Sequence, residues 1–529
     1  MNANVELSIE PNCARCRDLL AAEPSGHWHG RSLQEWRRTT RGELGLATDR
    51  PIVATGHQTM LWHPGILAKY LMVEALAAGG DRLGTANLIV DQHTQAFDRF
   101  DVPLRRTDGS LAVHTITLTP RREEVPMGRH PAFAPPAVPM DLPLALPSVQ
   151  SGIERIFAAV AAHRQAANAA LQMAAALADL MSRWVSPTIN VTSAGLMNTS
   201  LARGMLEQMA DDPRACAQRY NDAVRAVPEG GVGPLAITRD TVELPLWCIG
   251  PDDRRRRAHD GDVRHWLSHG AADVVLLPRA LLLTAIVRVG ICDLFVHGTG
   301  GAVYDRAMEL WVHDWLGVEP CPIAVATATL RLPLAAHEDD CPDLSAAVHA
   351  QRWLWHDPDR SAGAVGPGPT KQRWLEQINA APRRSRQRRA LFGKMHAQLA
   401  ELRRGRGDAI QAARQRTQRA ARLVADAPII NRRTWAFPLY PEEMIEALAG
   451  AVANVAMPGR AKDTRPAVTA GPPRRSTATM TAAPASESGC GSGSPESAPP
   501  RGAVEQSPPA PEPRTGCYSF GRGRTEGPH

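Results

Sequence analysis

The chain is poor in aromatic residues, 5% of its 529 positions, so a core built mainly from Leu, Val, Ile and Ala is expected. It has no run of about 18 consecutive apolar residues, which excludes a membrane-spanning helix. Its opening stretch, MNANVELSIEPNCARCRD, has neither the basic start nor the apolar segment of a secretory leader. A cytoplasmic protein with no membrane partner is therefore expected. The nine cysteines show no framework spacing and read as free thiols of a reducing compartment. Cys13-Ala-Arg-Cys16 has the spacing of a redox pair or of half a zinc site, but no second CxxC and no neighbouring His cluster completes it, so two free thiols and no metal are expected. A Walker A loop and a GxGxxG segment are also missing.

What is present is the 43% hydrophobic content of a globular chain, too long for one core of roughly 250–300 residues. The net charge of +6 is unevenly spread: Lys371 to Ala425 holds fifteen Lys and Arg against three Asp and Glu, so the remainder is acidic.

After an N-terminal segment (1–49), residues 50–333 alternate short apolar runs with longer amphipathic ones, the pattern of βαβ units around a parallel sheet. An α/β, Rossmann-like core is expected, with strands at Ile52–Thr55, Ala86–Asp91, Thr188–Thr192, Asp273–Leu277, Asp293–His297 and Ile323–Thr327. Helices are expected at Ile66–Ala78, Ser151–Arg183, Ser200–Val227 and Val303–Leu316. Residues 94–146, with the extended VHTITLTP and a proline-rich run, read as an insertion on the sheet edge. A helical connector (334–370, helix Leu344–Trp355) leads to a basic arm (371–425). There Phe392, Met395, Leu399 and Leu402 follow coiled-coil steps of three and four, and Gly405-Arg406-Gly407 suggests a turn into an antiparallel helical hairpin. A dimer through this hairpin would hide the stripe. A closing segment (426–457) and a tail (458–529) too poor in apolar residues to fold complete the chain.

Three segments carry candidate chemistry. In the first, Thr55-Gly56-His57-Gln58 runs through His63-Pro64-Gly65 into a helix bearing Lys69. A strand that ends in a glycine loop opening a helix offers backbone N–H groups and a positive helix end to an anion, and the histidines add acid–base capacity near neutral pH. In the second, the apolar strand Leu88-Ile89-Val90 ends in Asp91-Gln92-His93, where Asp91 would orient a hydroxyl or amine and His93 would shuttle a proton. In the third, Leu294–His297 is followed by Gly298-Thr299-Gly300-Gly301 and the helix of Tyr304 and Asp305, where glycines let backbone approach a ligand. Each segment also has a plain structural reading as a strand cap or tight turn.

Together these segments resemble the cysteine ligases of bacillithiol biosynthesis. That family carries T-G-Q-Q-x-G-L-x-x-G-P before a helix with a Lys, an apolar strand ending in E-D-H-D-F, and a G-G-P-G-E turn. Here Thr55–Gly65 with Lys69, Asp91-Gln92-His93 with Phe97-Asp98, and Leu276-Leu277-Pro278-Arg279 with Gly298–Gly301 stand in the same order, followed by an arm and by Asn431–Tyr440. His57 replaces the first Gln, Asp91-Gln92 replaces Glu-Asp, and the glycine turn lacks its Pro and Glu. The resemblance implies a Rossmann-like core related to nucleotidyl-transferring ligases, a dimerising coiled coil, and condensation of cysteine or a similar amino acid with a sugar-acid acceptor; the cofactor is left open, with ATP or ADP as the candidate.

The expected function is therefore a C–N bond-forming ligase acting on a small molecule. His57, His63, His93 and Asp91 would be catalytic; Gly56, Gln58, Gly65, Lys69, Gly298, Gly300, Gly301 and Tyr304 would bind the ligand or its phosphate. A non-catalytic scaffold that kept the fold is one alternative. Nucleic-acid binding by the arm is another, less favoured because the arm's arginines are not interleaved with aromatics.

Overall fold

A computed structural model describes residues 5–79, 82–271, 274–335, 343–361 and 365–456; the expected unfolded tail at 458–529 lies outside them. The described residues belong to one compact unit.

The centre is a six-stranded sheet built from β1 (Glu6–Glu10), β2 (Ile52–His57), β3 (Gly84–Ile89), β4 (Ile189–Thr192), β5 (Leu294–His297) and β6 (Ile323–Thr329). Its order is β1-β6-β5-β2-β3-β4. All neighbours run parallel except β1, which pairs antiparallel with β6 at the edge. Among the parallel strands the first in sequence lies centrally, with its successors fanning to one side and the last two to the other, the doubly wound order of a Rossmann core. The order reverses between β2 and β5. β1 escaped sequence reading because five alternating residues carry too little pattern to stand out.

The first crossover helix, α1 (Pro64–Ala77), buries nearly its whole circumference, because it is sandwiched between the sheet and helix Glu442–Ala456. Each large apolar side chain it removes from water, such as Leu67, Leu71 or Met72, contributes about 1.5–3 kcal/mol. α2 (Thr299–Leu316) follows β5 on the opposite face and packs Trp311 against Tyr220. Tryptophans 62, 311 and 435 are among the largest fully buried side chains, so the few aromatics are concentrated in the interior. The strand starts are clamped by Asp293, whose carboxylate receives Arg37 at 2.8 Å, Arg41 at 2.6 Å and the Ile52 amide at 2.7 Å.

Several expected elements differ. Residues 275–278 form a strand, but Val275–Pro278 pairs antiparallel with Glu243–Ile249 in a separate three-stranded sheet completed by Arg255–His259. The stretch 151–183 is two helices, Pro147–Ala162 and Ala169–Met181, the second capped by Asn168. Residues 200–227 divide at Pro213, which cannot donate to a preceding turn. The 94–146 segment holds a hairpin, Arg99–Arg105 with Leu111–Thr117, which forms its own two-stranded sheet.

The arm departs most. It comprises α3 (Leu344–His356), α4 (Pro369–Ala380), α5 (Arg386–Gly405) and α6 (Gly407–Ile430). α5 and α6 are separated by Arg406 alone and meet only near that junction; α5 pairs with α4, and α6 with α3. The expected α5/α6 hairpin is thus absent, because one residue is too short a turn and both helices have better partners. Met395 and Leu399 are buried against Ile378, Trp374 and Leu375. The stripe that called for a dimer is covered, apart from an exposed Phe392, within the chain itself. The closing segment returns to the core, with Trp435, Phe437, Leu439 and Tyr440 buried and the Phe437 amide bonded to the Trp62 carbonyl at 2.6 Å.

Candidate functional site

At the carboxyl edge of β2, β3 and β5, where the strand order reverses, a cavity of about 640 Å³ opens. Gly56, His57, Gln58, His63, Gly65 and Lys69 line it from the first segment, His93 from the second, and Gly298, Gly300, Gly301 and Tyr304 from the third. Parallel pairing of β3, β2 and β5 places these three loops side by side, where doubly wound sheets bind ligands. Asp91 is the exception. It is buried against Ser193 and is not among the lining residues; burial raises its carboxyl above the usual range, partly offset by the Ser193 hydroxyl.

The glycines do different work from that expected. Gly56 sits in β2 against Leu88, where a Cβ would lie 2.5 Å from the Leu88 Cβ, so it is there for close packing, and its carbonyl accepts from Lys69 Nζ at 2.6 Å. The Gly65 amide is already taken by His63 Nδ1 at 3.1 Å, which caps α1. Only the start of α2 is open. Gly298 is an N-cap without a side-chain cap, and the first amides of the helix, at Thr299, Gly300 and Gly301, precede any residue that can reach back to a helical carbonyl. A Cβ on Gly300 would meet nothing within 4 Å, whereas one on Gly301 would strike His297 Nδ1.

The histidines are neutral hydrogen-bonding groups rather than proton donors. Burial, reinforced by Lys69, pushes His57 down to about 3. Burial and Arg433 take His63 to about 4, and burial with Arg255 takes His93 to about 4. Their partners set the tautomers: His57 Nδ1 donates to the Gln58 carbonyl at 3.1 Å, while His63 and His93 accept at Nδ1, His93 from the Gln95 amide at 3.2 Å. His93 Nε2 is then a buried donor without a partner among the described residues. Lys69 is brought down to about 7 by burial, so it is the lining group whose charge turns over near neutral pH.

Other lining residues were not singled out as site groups in the sequence. Trp247, Arg255 and Arg279 come from the three-stranded sheet and its exit, and Arg433 from the closing segment. Arg255 and Arg279 stand 4.2 and 4.8 Å from the Trp247 ring centre. Arg255 donates to the Gln92 carbonyl at 2.9 Å, and Arg279 is held by Glu243. His297, also on the wall, bonds through Nε2 to Asp305 Oδ2 at 2.7 Å, and Asp305 receives Arg288 at 2.9 Å. Burial would raise the Asp305 carboxyl, but His297 and Arg288 outweigh it and hold it low. The Nδ1 of His297 is left as an acceptor beside the Gly301 backbone. Arg279, His297 and Arg433 fall within segments singled out in the sequence; Arg255, inside a run of arginines, had nothing to mark it.

Among the described residues the lining therefore combines four cations (Lys69, Arg255, Arg279, Arg433) with four histidines and includes no carboxylate. Fold and site define an α/β protein with a cation-lined cavity at its switch point. No family model matches the chain, and no curated protein matches it.

Proposed function

We propose that the protein is a ligase-like enzyme that takes an anionic small molecule, phosphorylated or carboxylated, into this cavity and joins it to an amine, as its resemblance to the cysteine ligases of bacillithiol biosynthesis suggests. The observation that carries the reading is the lining: four cations and an open helix start with no carboxylate among the described residues, gathered where such groups act on developing negative charge. Arg255, Arg433, Lys69 and the first amides of α2 would hold the anion. His63 and His93 would donate to it through Nε2–H. His297, oriented by Asp305, is the group best placed to accept a proton from the incoming amine as its nitrogen bonds the carboxyl carbon, and Lys69, near 7, is suited to return one to the oxygen that leaves when the C–O bond breaks, as water from a free carboxyl or as phosphate from a phosphorylated one.

ATP or ADP fits this cavity only in part. The phosphates match the cations and the α2 amides, but the lining offers no carboxylate for a phosphate-bound magnesium ion or a ribose, Asp91 being turned away, so no step is assigned to a nucleotide here. The test is a thermal-shift screen against pyrophosphate, ATP, cysteine and a glucosaminyl malate. Stabilisation grows with ligand concentration over its dissociation constant, and an anionic compound should raise the melting temperature of the wild type but not of Lys69→Met. A response unaffected by Lys69→Met would defeat the assignment of the cavity.

A further inference from the structure

The arm's arginines stand apart from aromatic residues in sequence, but folding brings the two together. α3 carries Trp353 and Trp355, 45% and 42% exposed. The Arg360 guanidinium lies 4.3 Å from the Trp353 ring centre, and Arg403 and Arg414, arriving on α5 and α6, lie 5.1 and 5.4 Å from that of Trp355. A shallow recess of about 170 Å³ opens beside this ring, lined by Gln351, Arg352, Trp355, His356, Ile410 and Arg414. Arg352, Arg403 and Arg414 have no carboxylate within 4.0 Å among the described residues. Farther along α6, Arg416, Arg419 and Arg422 are also exposed.

We propose that the face around Trp355 binds single-stranded nucleic acid, phosphates lying along the arginines of α5 and α6 and bases stacking on Trp355 and the guanidinium planes beside it. Stacking on exposed indoles within a basic track is how unpaired bases are held without sequence preference, because every base has a π-face. A duplex hides those faces, so the tryptophan would add nothing to its binding. A second copy of the chain is a poor occupant, since it would set two strongly positive surfaces against each other. The proposal does not depend on the cavity chemistry.

The experiment is fluorescence anisotropy with the full-length protein and a labelled twenty-nucleotide oligo(dT) or oligo(U). Binding should weaken at least ~10-fold between 50 and 200 mM salt as counterions released from several phosphates are restored. Trp355→Ala should weaken it by a further ~10-fold at fixed salt, as expected from lost stacking, whereas Trp353→Ala, on the other side of α3, should leave it nearly unchanged. Trp355→Phe, which keeps a ring and guards against a merely unfolded arm, should retain most of the affinity. Inorganic pyrophosphate should not compete. Equal affinity for a duplex of the same length, or for anionic lipid vesicles, with no effect of Trp355→Ala would overturn the proposal. So would a protein that is dimeric in light scattering and becomes monomeric with Trp355→Ala.

Discussion

The protein has two positive regions, the cavity and the arm, and they obtain their charge in opposite ways. In the cavity a few cations are withdrawn from water and held by geometry: Lys69 on the Gly56 carbonyl, Arg279 on Glu243, Arg255 against Trp247 and the Gln92 carbonyl. On the arm many arginines stay hydrated, and their effect lies in number. Burial makes the first region sensitive to pH and to single substitutions. Exposure makes the second sensitive to salt and tolerant of loss, so positive charge in the two regions answers to different conditions.

The largest contrast should be in stability. Arg288, beneath the cavity, pairs with Asp305 and Glu309 with its side chain only 1% exposed. Arg288→Ala, leaving Asp305 buried and His297 without its orienting network, should cost about 3–5 kcal/mol in denaturant unfolding. Arg414→Ala should leave the midpoint essentially unchanged. Similar midpoints for the two variants would remove the distinction on which the comparison rests.

Next comes ligand response. Lys69→Met should weaken anion binding in the cavity about a hundredfold, because the anion loses a desolvated partner, while the fold is kept or gains slightly from losing a buried cation. Oligonucleotide binding by this variant should be unchanged; a fall there would mean that both ligands share one site.

pH should separate the regions by about tenfold. With Lys69 near 7, its charged fraction falls about tenfold from pH 6 to pH 8, so affinity for an anion of fixed charge, such as sulfate, should fall with it. Arm binding should stay flat over this range, since arginine does not titrate. Linkage gives a matching stability trend. Lys69 is depressed below its ordinary 10.5, so between pH 7 and 10.5 the unfolded chain binds the extra proton and its contribution to stability rises with pH. His57, His63 and His93 lie at about 3, 4 and 4 against an ordinary 6.5. Their contribution is complete above 6.5 and is lost as pH falls toward those values. An acid melt showing no loss between pH 6.5 and 4 would mean that the histidines are not buried as described.

The smallest effect is expected for salt in the cavity. Raising it from 50 to 200 mM should change cavity affinity by less than about threefold, because recessed charges are poorly screened, against tenfold or more on the arm.

The parallel strands and the meeting of their loops were legible because hydrophobic runs with glycine at their carboxyl ends report local structure directly. The separate place of Val275–Pro278 was not, since an apolar run of four reads alike in either sheet. The split at Asn168 was hidden by an alanine-rich stretch that suits helix throughout. Asp91 shows the limit at the site: a residue at a strand end can face the cavity or the layer behind it, and Ser193, a hundred residues away in the chain, took it.

By itself, then, the sequence determined the doubly wound core, the three loops at its carboxyl edge and the concentration of positive charge in one helical stretch, because each is written in neighbouring residues. Only the tertiary structure decided which cations enter the cavity, that Arg255 and Arg433 join it from distant segments, that α5 pairs with α4 instead of folding back on α6, and that Arg403 and Arg414 both come close to the Trp355 ring. Those are contacts between residues far apart in the chain, chosen by packing as a whole, and no local pattern encodes them.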